Sequence, residues 1–251
     1  MMKNLLKSRI FKTLAAAACW ILVWQAAAWA VGSDLLLPSP IVTVKALISL
    51  AGTAVFWKSC FLTLLRVFAG FLIGILAGTA LGVITAVSGL FKVLLDPLRS
   101  VVKAAPVTSF IILVLLYLSS ALTPMFIAFL MVLPIAWTNV AAGITSTDAQ
   151  LLEMAEVFGF SRAKKLKTVY APSVLPHFLS ACTTGLGFAW KSGVTAEVIA
   201  HPAFGMGKAI YESKLYLETP DLFAWTAAVI ILSFALEKLF VTLLGRAVKW
   251  K

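Results

Sequence analysis

The chain has 251 residues, of which 61% are hydrophobic and 12% charged. That leaves too little polar surface for a soluble domain and is the composition of an integral membrane protein. The 21 Lys and Arg against 10 Asp and Glu give a formal charge of +11. The basic residues follow the connections between apolar runs and form no groove or patch, so nucleic-acid binding is excluded. Cys19, Cys60 and Cys182 match no metal or disulfide spacing, and His177 and His201 have no partner at ligand spacing. Neither a metal site nor a catalytic constellation is expected.

In chain order, four basic residues (Lys3, Lys7, Arg9, Lys12) precede an apolar run from Leu14 to Val31. That run exceeds the roughly 7–15 residues of a signal-peptide core and reads as an uncleaved first transmembrane helix. Pro38 and Pro40 start a short amphipathic helix, with Ile41, Val44, Leu47 and Ile48 on one side, suited to a membrane interface. A second span covers Leu64–Val87, with Arg66 at its entrance. Gly70, Gly74, Gly78 and Gly82 recur every fourth residue there, a flat stripe that lets another helix approach backbone to backbone. Ser88–Lys103 is a connection, Ala105–Leu118 a short third span, and Met125–Ile144 a fourth with a kink at Pro134. Leu175–Ile199 is the fifth and Leu222–Leu244 the last, separated by a polar connection, Ala200–Pro220. Six spans result. The chain divides into 1–31, an external connection 32–63, a five-helix core 64–244 and a basic tail 245–251.

One long polar interval, Thr147–Pro176, has its own folding signals. Thr147 with Gln150 makes a capping box, and Asp148 adds negative charge at the positive end of that helix. Leu151, Ala155 and Phe158 share a face, and Gly159 supplies a left-handed stop. Ser161 caps a second short helix, whose Ala163, Leu166 and Tyr170 align while Lys164, Lys165 and Lys167 look elsewhere. Pro172 and Pro176 are expected to keep it from running into the next segment. The interval is thus a helix–turn–helix.

Alternate connections share one side of the membrane. One side collects Lys3, Lys7, Arg9, Lys12, Lys92, Arg99, Lys103, Arg162, Lys164, Lys165, Lys167, Arg246, Lys249 and Lys251. The other has Lys45, Lys58, Lys208 and Lys214, with Arg66 near the boundary. The positive-inside rule makes both termini and the helix–turn–helix cytoplasmic.

At this point the residues meet a family. Glu153-Met154-Ala155, Gly159, Val169 and Pro172 fall at the spacings of the EAA motif of bacterial ABC importer permeases. Met154, Val169 and Ala171 depart from that motif's Ala, Ile and Leu. Leu37-Pro38-Ser39-Pro40, Leu65-Arg66-Val67, Leu95-Asp96-Pro97-Leu98, Gly185 with Ala189-Trp190, Ala196-Glu197 and Phe204-Gly205-Met206-Gly207 resemble the nitrate/sulfonate/taurine-type permeases over most of Leu37–Leu244. The resemblance implies an all-α fold of the type I importer (MetI-like) class in a bacterial inner membrane, working as a homodimer. Each half would hold a separate ATPase subunit through Glu153, Ala155, Gly159, Val169 and Pro172, and an extracytoplasmic binding protein would deliver the solute. The chain would be non-catalytic and carry no cofactor, the ATP being bound by the partner. Its nearest approach to a phosphate loop, Gly205-Met206-Gly207-Lys208-Ala209, lacks the leading Gly and the Ser/Thr.

Ionisable groups inside spans mark pathways. Lys191 sits where these relatives usually have an apolar residue. Together with Glu197, Asn139 and Trp190 it is a candidate to line the translocation path; Lys191 would favour an anionic solute or snorkel outward. Lys191 and Glu197, six residues apart, do not share a helical face. Trp137, Thr183 and Thr184 are further lining candidates, and packing positions as much. The expected solute is a small anion of the sulfonate, nitrate or taurine kind. Bicarbonate and a thiamine-precursor pyrimidine are the alternatives, and a secondary transporter or channel is the rival class. The latter would usually show an internal repeat, and none is evident.

Overall fold

The computed structural model describes residues 2–247. Lys249 and Lys251 of the expected basic tail lie outside the described residues, as do the side chains of Lys3, Lys7, Arg9 and Arg246. Among the described residues the chain is helical throughout, in eleven segments. These are α1 (Met2–Val31), α2 (Pro40–Ala51), α3 (Ala54–Val87), α4 (Gly89–Ala104), α5 (Val107–Leu115), α6 (Thr123–Thr145), α7 (Ala149–Val157), α8 (Arg162–Lys165), α9 (Ala171–Ala200), α10 (Met206–Leu215) and α11 (Thr219–Ala247). A π-helical turn, Leu166–Tyr170, joins α8 to α9.

Among the described residues three helices are long and apolar enough to cross a membrane: Ala54–Val87, Thr123–Thr145 and Thr219–Leu244. The expected third span is different in kind. Ser88–Lys103 is an amphipathic helix rather than a connection, and it bends by 101° into the nine-residue α5, too short to cross alone. The pair counts as one broken span at most. Pro106, fixed at φ −60°, cannot donate to a continuing helix and sits at the bend. Ala200–Pro220, expected as a polar connection, contains α10.

The helices form two compact units. The first holds the residues up to Trp57 with Ala209–Ile230. Ser39 caps α2, its Oγ accepting from the Val42 N–H, and Pro40 occupies the first turn, where its missing N–H costs nothing. Ile41, Val44 and Ile48 of α2 are all exposed, an outward apolar face suited to lipid. Trp24 stacks on Phe223 and donates its indole N–H to the Pro38 carbonyl, while Phe56 packs on Trp225.

The second unit, Lys58–Lys208 with the residues from Ile231 on, is organised by the glycine stripe. A Cβ on Gly74 would lie 2.7 Å from Val132 Cβ, one on Gly78 2.7 Å from Ala136 Cβ, and one on Gly82 2.9 Å from the Trp137 carbonyl; one on Gly70 would collide with the Met125 carbonyl. The stripe is therefore a parallel backbone seam between α3 and α6. Across it the Trp137 indole donates to Thr85 Oγ1 at 2.8 Å. α9 packs antiparallel to α6 and also touches α3: Gly143 faces Val174 and His177, Gly185 faces Val132 and Phe71, and Gly193 faces Val67.

Candidate functional site

Both ends of α9 are elaborated, and its length between them is two-faced. At the N-terminal end lies an elbow. The cap of α7 is Asp148, whose Oδ1 accepts from the Gln150 N–H at 2.8 Å. This corrects the expected Thr147 capping box: Thr147 Oγ1 donates to the Gly143 carbonyl at 3.3 Å and still belongs to the end of α6. Gly159 is left-handed as expected, φ +62°. The Gly159 N–H bonds the Glu156 carbonyl and the Phe160 N–H the Ala155 carbonyl, the paired bonds of a Schellman stop. Ser161 caps α8 through the Lys164 N–H. Lys165 bridges to Glu156 at 2.9 Å, and Lys164 lies 3.9 Å from the centre of the Phe160 ring, so α8 is fastened to α7. The hydrogen bond and charge of Lys165 hold the Glu156 carboxyl below its ordinary range.

The prolines do not separate α8 from α9. The Ala171 N–H bonds the Leu166 carbonyl, five residues back. That π turn takes up one extra residue just ahead of Pro172, so the axis continues where an α-helical register would meet the proline ring. Of the motif residues, Ala155 and Val169 are buried, Pro172 is half-buried, and Glu153 and Gly159 are exposed. Leu151, Met154, Val157 and Phe158 are exposed around them, Val157 at 85% and Phe158 at 71%. The face expected for Leu151, Ala155 and Phe158 is therefore split: Ala155 is buried while Leu151 and Phe158 are left uncovered by this chain.

At the other end lies a polar knot that sequence reading missed. Glu197 is fully buried. Its carboxylate accepts from Thr63 Oγ1 at 2.8 Å, Arg66 Nη1 at 2.9 Å and the Gly207 N–H at 3.1 Å. Thr63 Oγ1 in turn accepts from the Met206 N–H at 3.0 Å, and Arg66 also donates to the Phe204 carbonyl at 2.7 Å. A Cβ on Gly205 would stand 2.6 Å from Glu197 Oε2, and one on Gly207 would strike the Val194 carbonyl, so only glycine lets this turn close on the acid. Glu197 therefore leaves the set of path-lining candidates: a carboxylate with no exposed surface and three donors faces no open path. The available signal was the presence of two lone opposite charges, Arg66 and Glu197, in separate apolar runs, where each needs the other.

Between elbow and knot, α9 buries Ala181, Cys182, Gly185, Leu186, Ala189, Trp190, Gly193 and Val194. The opposite side, Ser180, Thr184, Gly187, Phe188, Lys191 and Thr195, is exposed at helical spacing. On α3 and α11 the exposed positions include Phe61, Leu65, Phe68, Leu72, Leu76, Ile230, Phe234 and Leu239, with Lys58, Thr226, Glu237 and Lys238 also exposed. The exposed face of α9 carries Ser180, Thr184, Lys191 and Thr195 beside Phe188, while the exposed middle of α3, from Phe61 to Leu76, is mainly apolar. Trp190 lies on the buried side with its indole N–H unpartnered, and Asn139 is half-buried with its amide spent on the Ile135 carbonyl at 2.8 Å. Of the lining candidates, Lys191 and Thr184 stand on the exposed stripe.

The structure of a bacterial ABC transporter involved in the import of the acidic polysaccharide alginate superposes with a TM-score of 0.67, covering 96% of each chain at 16% identity, a likeness of fold. Residues 70–249 match the model of the binding-protein-dependent transport system inner membrane component, and the chain belongs to that family of ABC importer permeases. Among its relatives are the taurine transport system permease protein TauC of Escherichia coli K12 (29% identical, over 90% of this chain and 84% of that one) and the putative aliphatic sulfonates transport permease protein SsuC of Bacillus subtilis 168 (28%, over 96% and 87%). Others are named for riboflavin and bicarbonate transport.

Proposed function

We propose that this chain is the solute-conducting subunit of an ATP-driven importer for a small anion, paired with a second copy of itself. An ATPase subunit docks on 147–172 and a binding protein delivers solute from outside. The observation that carries this reading is the construction of α9. A rigid elbow with outward apolar side chains stands at one end, and a polar stripe centred on Lys191 runs along the exposed length. A lipid-facing helix would not expose Ser180, Thr184, Lys191 and Thr195 together. An elbow moves a helix only if it is itself rigid, and the Schellman stop, the Ser161 cap and the Glu156–Lys165 bridge supply that rigidity.

The reading carries six membrane crossings with both termini and the elbow in the cytoplasm, on the strength of the basic-residue asymmetry. The taurine- and sulfonate-named relatives support an anion, and Lys191 is the cation that would receive it. A riboflavin-named relative supports a second reading, a neutral organic solute hydrogen-bonded along the same stripe. Co-expression with candidate ATPase subunits tests the proposal. A stable complex whose ATPase activity is lost on Glu153→Lys or Gly159→Pro is expected; solute flux through this chain alone, without any ATPase bound, overturns it. Lys191→Ala should cut anion uptake at least tenfold while ATP hydrolysis persists, and unchanged uptake kinetics would return Lys191 to a snorkelling role.

A further inference from the structure

The knot and the stripe occupy one helix, and their spacing connects them. Thr195 is two residues from Glu197 and Lys191 six, so the last turn and a half of the stripe is held by whatever holds Glu197. Glu197 is held on three sides: by Thr63 and Arg66 one turn apart on α3, and by the Gly207 N–H at the start of α10. Arg66 and Thr63 also grip the intervening turn through the Phe204 carbonyl and the Met206 N–H. Lys58 lies 3.7 Å from the centre of the Phe204 ring, and His201 closes α9 in the left-handed conformation with its N–H on the Glu197 carbonyl. Thr63 and Arg66 each bond both Glu197 and the backbone of the turn that follows α9, so the three side chains form one network.

We propose that Glu197 is a positioning residue for transport: through Arg66 and Thr63 it locks the end of α9 against α3. The lock fixes both the rotation and the height at which Lys191 and Thr195 are presented to the solute. The elbow then moves α9 as a rod about this anchored end rather than unwinding it. A helix whose end frays at His201 could absorb a push at the elbow by losing its last turn; a helix whose Glu197 is bonded to two segments 131 and 10 residues away in sequence cannot. An apolar residue at 197 could fill the space but could not set rotation, because packing alone tolerates small slips that directional bonds to a carboxylate do not. The inference rests on the stripe lining the path.

The test uses the full chain, assembled with its ATPase and binding protein in proteoliposomes, with Cys19, Cys60 and Cys182 replaced by serine or alanine. A single cysteine stands at position 184, 191 or 195. A membrane-impermeant methanethiosulfonate reports each position's access to water. In the wild-type background all three should label. With Glu197→Gln, labelling at 191 and 195 should fall at least fivefold, labelling at 184 should change less than twofold, and solute moved per ATP hydrolysed should drop in the cysteine-free chain that keeps Lys191. The double variant Arg66→Met with Glu197→Leu removes the ion pair without leaving a lone charge. If the knot positions α9, this variant regains the wild-type thermal midpoint yet keeps the altered labelling and the low transport per ATP. Recovery of both along with the midpoint would reduce the knot to ordinary stability and overturn the proposal, as would wild-type labelling in Glu197→Gln. Failure of all three positions to label in the wild type during active uptake would overturn the path reading, and the anchor with it.

Discussion

The two ends of α9 are built on opposite plans. At Glu197 the polar groups are paired inside the chain: a carboxylate with three donors, a hydroxyl that donates and accepts, and two glycines that let backbone close on the acid. At the elbow the backbone is equally satisfied, yet the side chains are not covered: Leu151, Met154, Val157 and Phe158 are exposed around Glu153. Rigid backbone under uncovered apolar side chains is what a docking element requires, because its shape is set before the partner arrives. The knot end is complete in itself and needs nothing more. The difference teaches that burial alone does not identify function in this chain; the informative contrast is between satisfied backbone and unsatisfied surface.

Breaking the knot should give the largest effect. Glu197→Ala leaves the part-buried Arg66 without its acid, a loss of up to about 3–5 kcal/mol, and a marked fall in the thermal midpoint of the detergent-solubilised chain is expected. A midpoint within about a degree of wild type would mean that Arg66 finds water instead. The seam comes next. Gly78→Leu must push apart backbones where even a Cβ would stand 2.7 Å from Ala136 Cβ, and overpacking of this kind costs about 1–3 kcal/mol. Unchanged expression and stability would contradict the close approach.

At the elbow the expected effects move from stability to association. Gly159→Val forces a β-branched residue into φ +62°, a strain of roughly 1–2 kcal/mol, which should loosen ATPase binding more than it lowers the midpoint of the whole chain. Val157→Asp with Phe158→Asp should leave helix content and thermal stability of the free chain unchanged while lowering affinity for the ATPase at least tenfold. Equal binding would show that this surface faces lipid or stays bare. The smallest effect concerns Glu156. Its carboxyl is held below the ordinary range by Lys165, so the bridge is present above the unfolded carboxylate pKa and is lost as pH falls through the lower, folded value. Glu156→Gln should abolish that acid-side sensitivity of elbow dynamics with little change at neutral pH, read by hydrogen exchange at residues 161–165.

Much of the elbow was legible in the chain because its determinants are near neighbours. Gly159 and Ser161 act on backbone within a few residues, and both behave as their chemistry dictates. Its two corrections are also local. Asp148 takes the cap, accepting from the Gln150 N–H, while the Thr147 hydroxyl turns back to the Gly143 carbonyl. Pro172 fails to end the helix because a π turn shifts the register ahead of it. The glycine stripe was legible as a stripe, since fourfold spacing puts all four residues on one face; which helix lay against it was not.

What the sequence by itself determined is the membrane habitat, the seam face, the elbow and the family motif, all carried by composition or by residues within about one helical turn of each other. Only the tertiary structure decided that Arg66 and Glu197, 131 residues apart, are one ion pair, and that Lys191 stands on an exposed polar face while Trp190 beside it is buried. Helical periodicity says which residues share a face but not which face a neighbouring helix will cover. That is settled only when α3, α6 and α9 pack, since close packing and the need to pair buried charge select one arrangement among the many that each helix alone would allow.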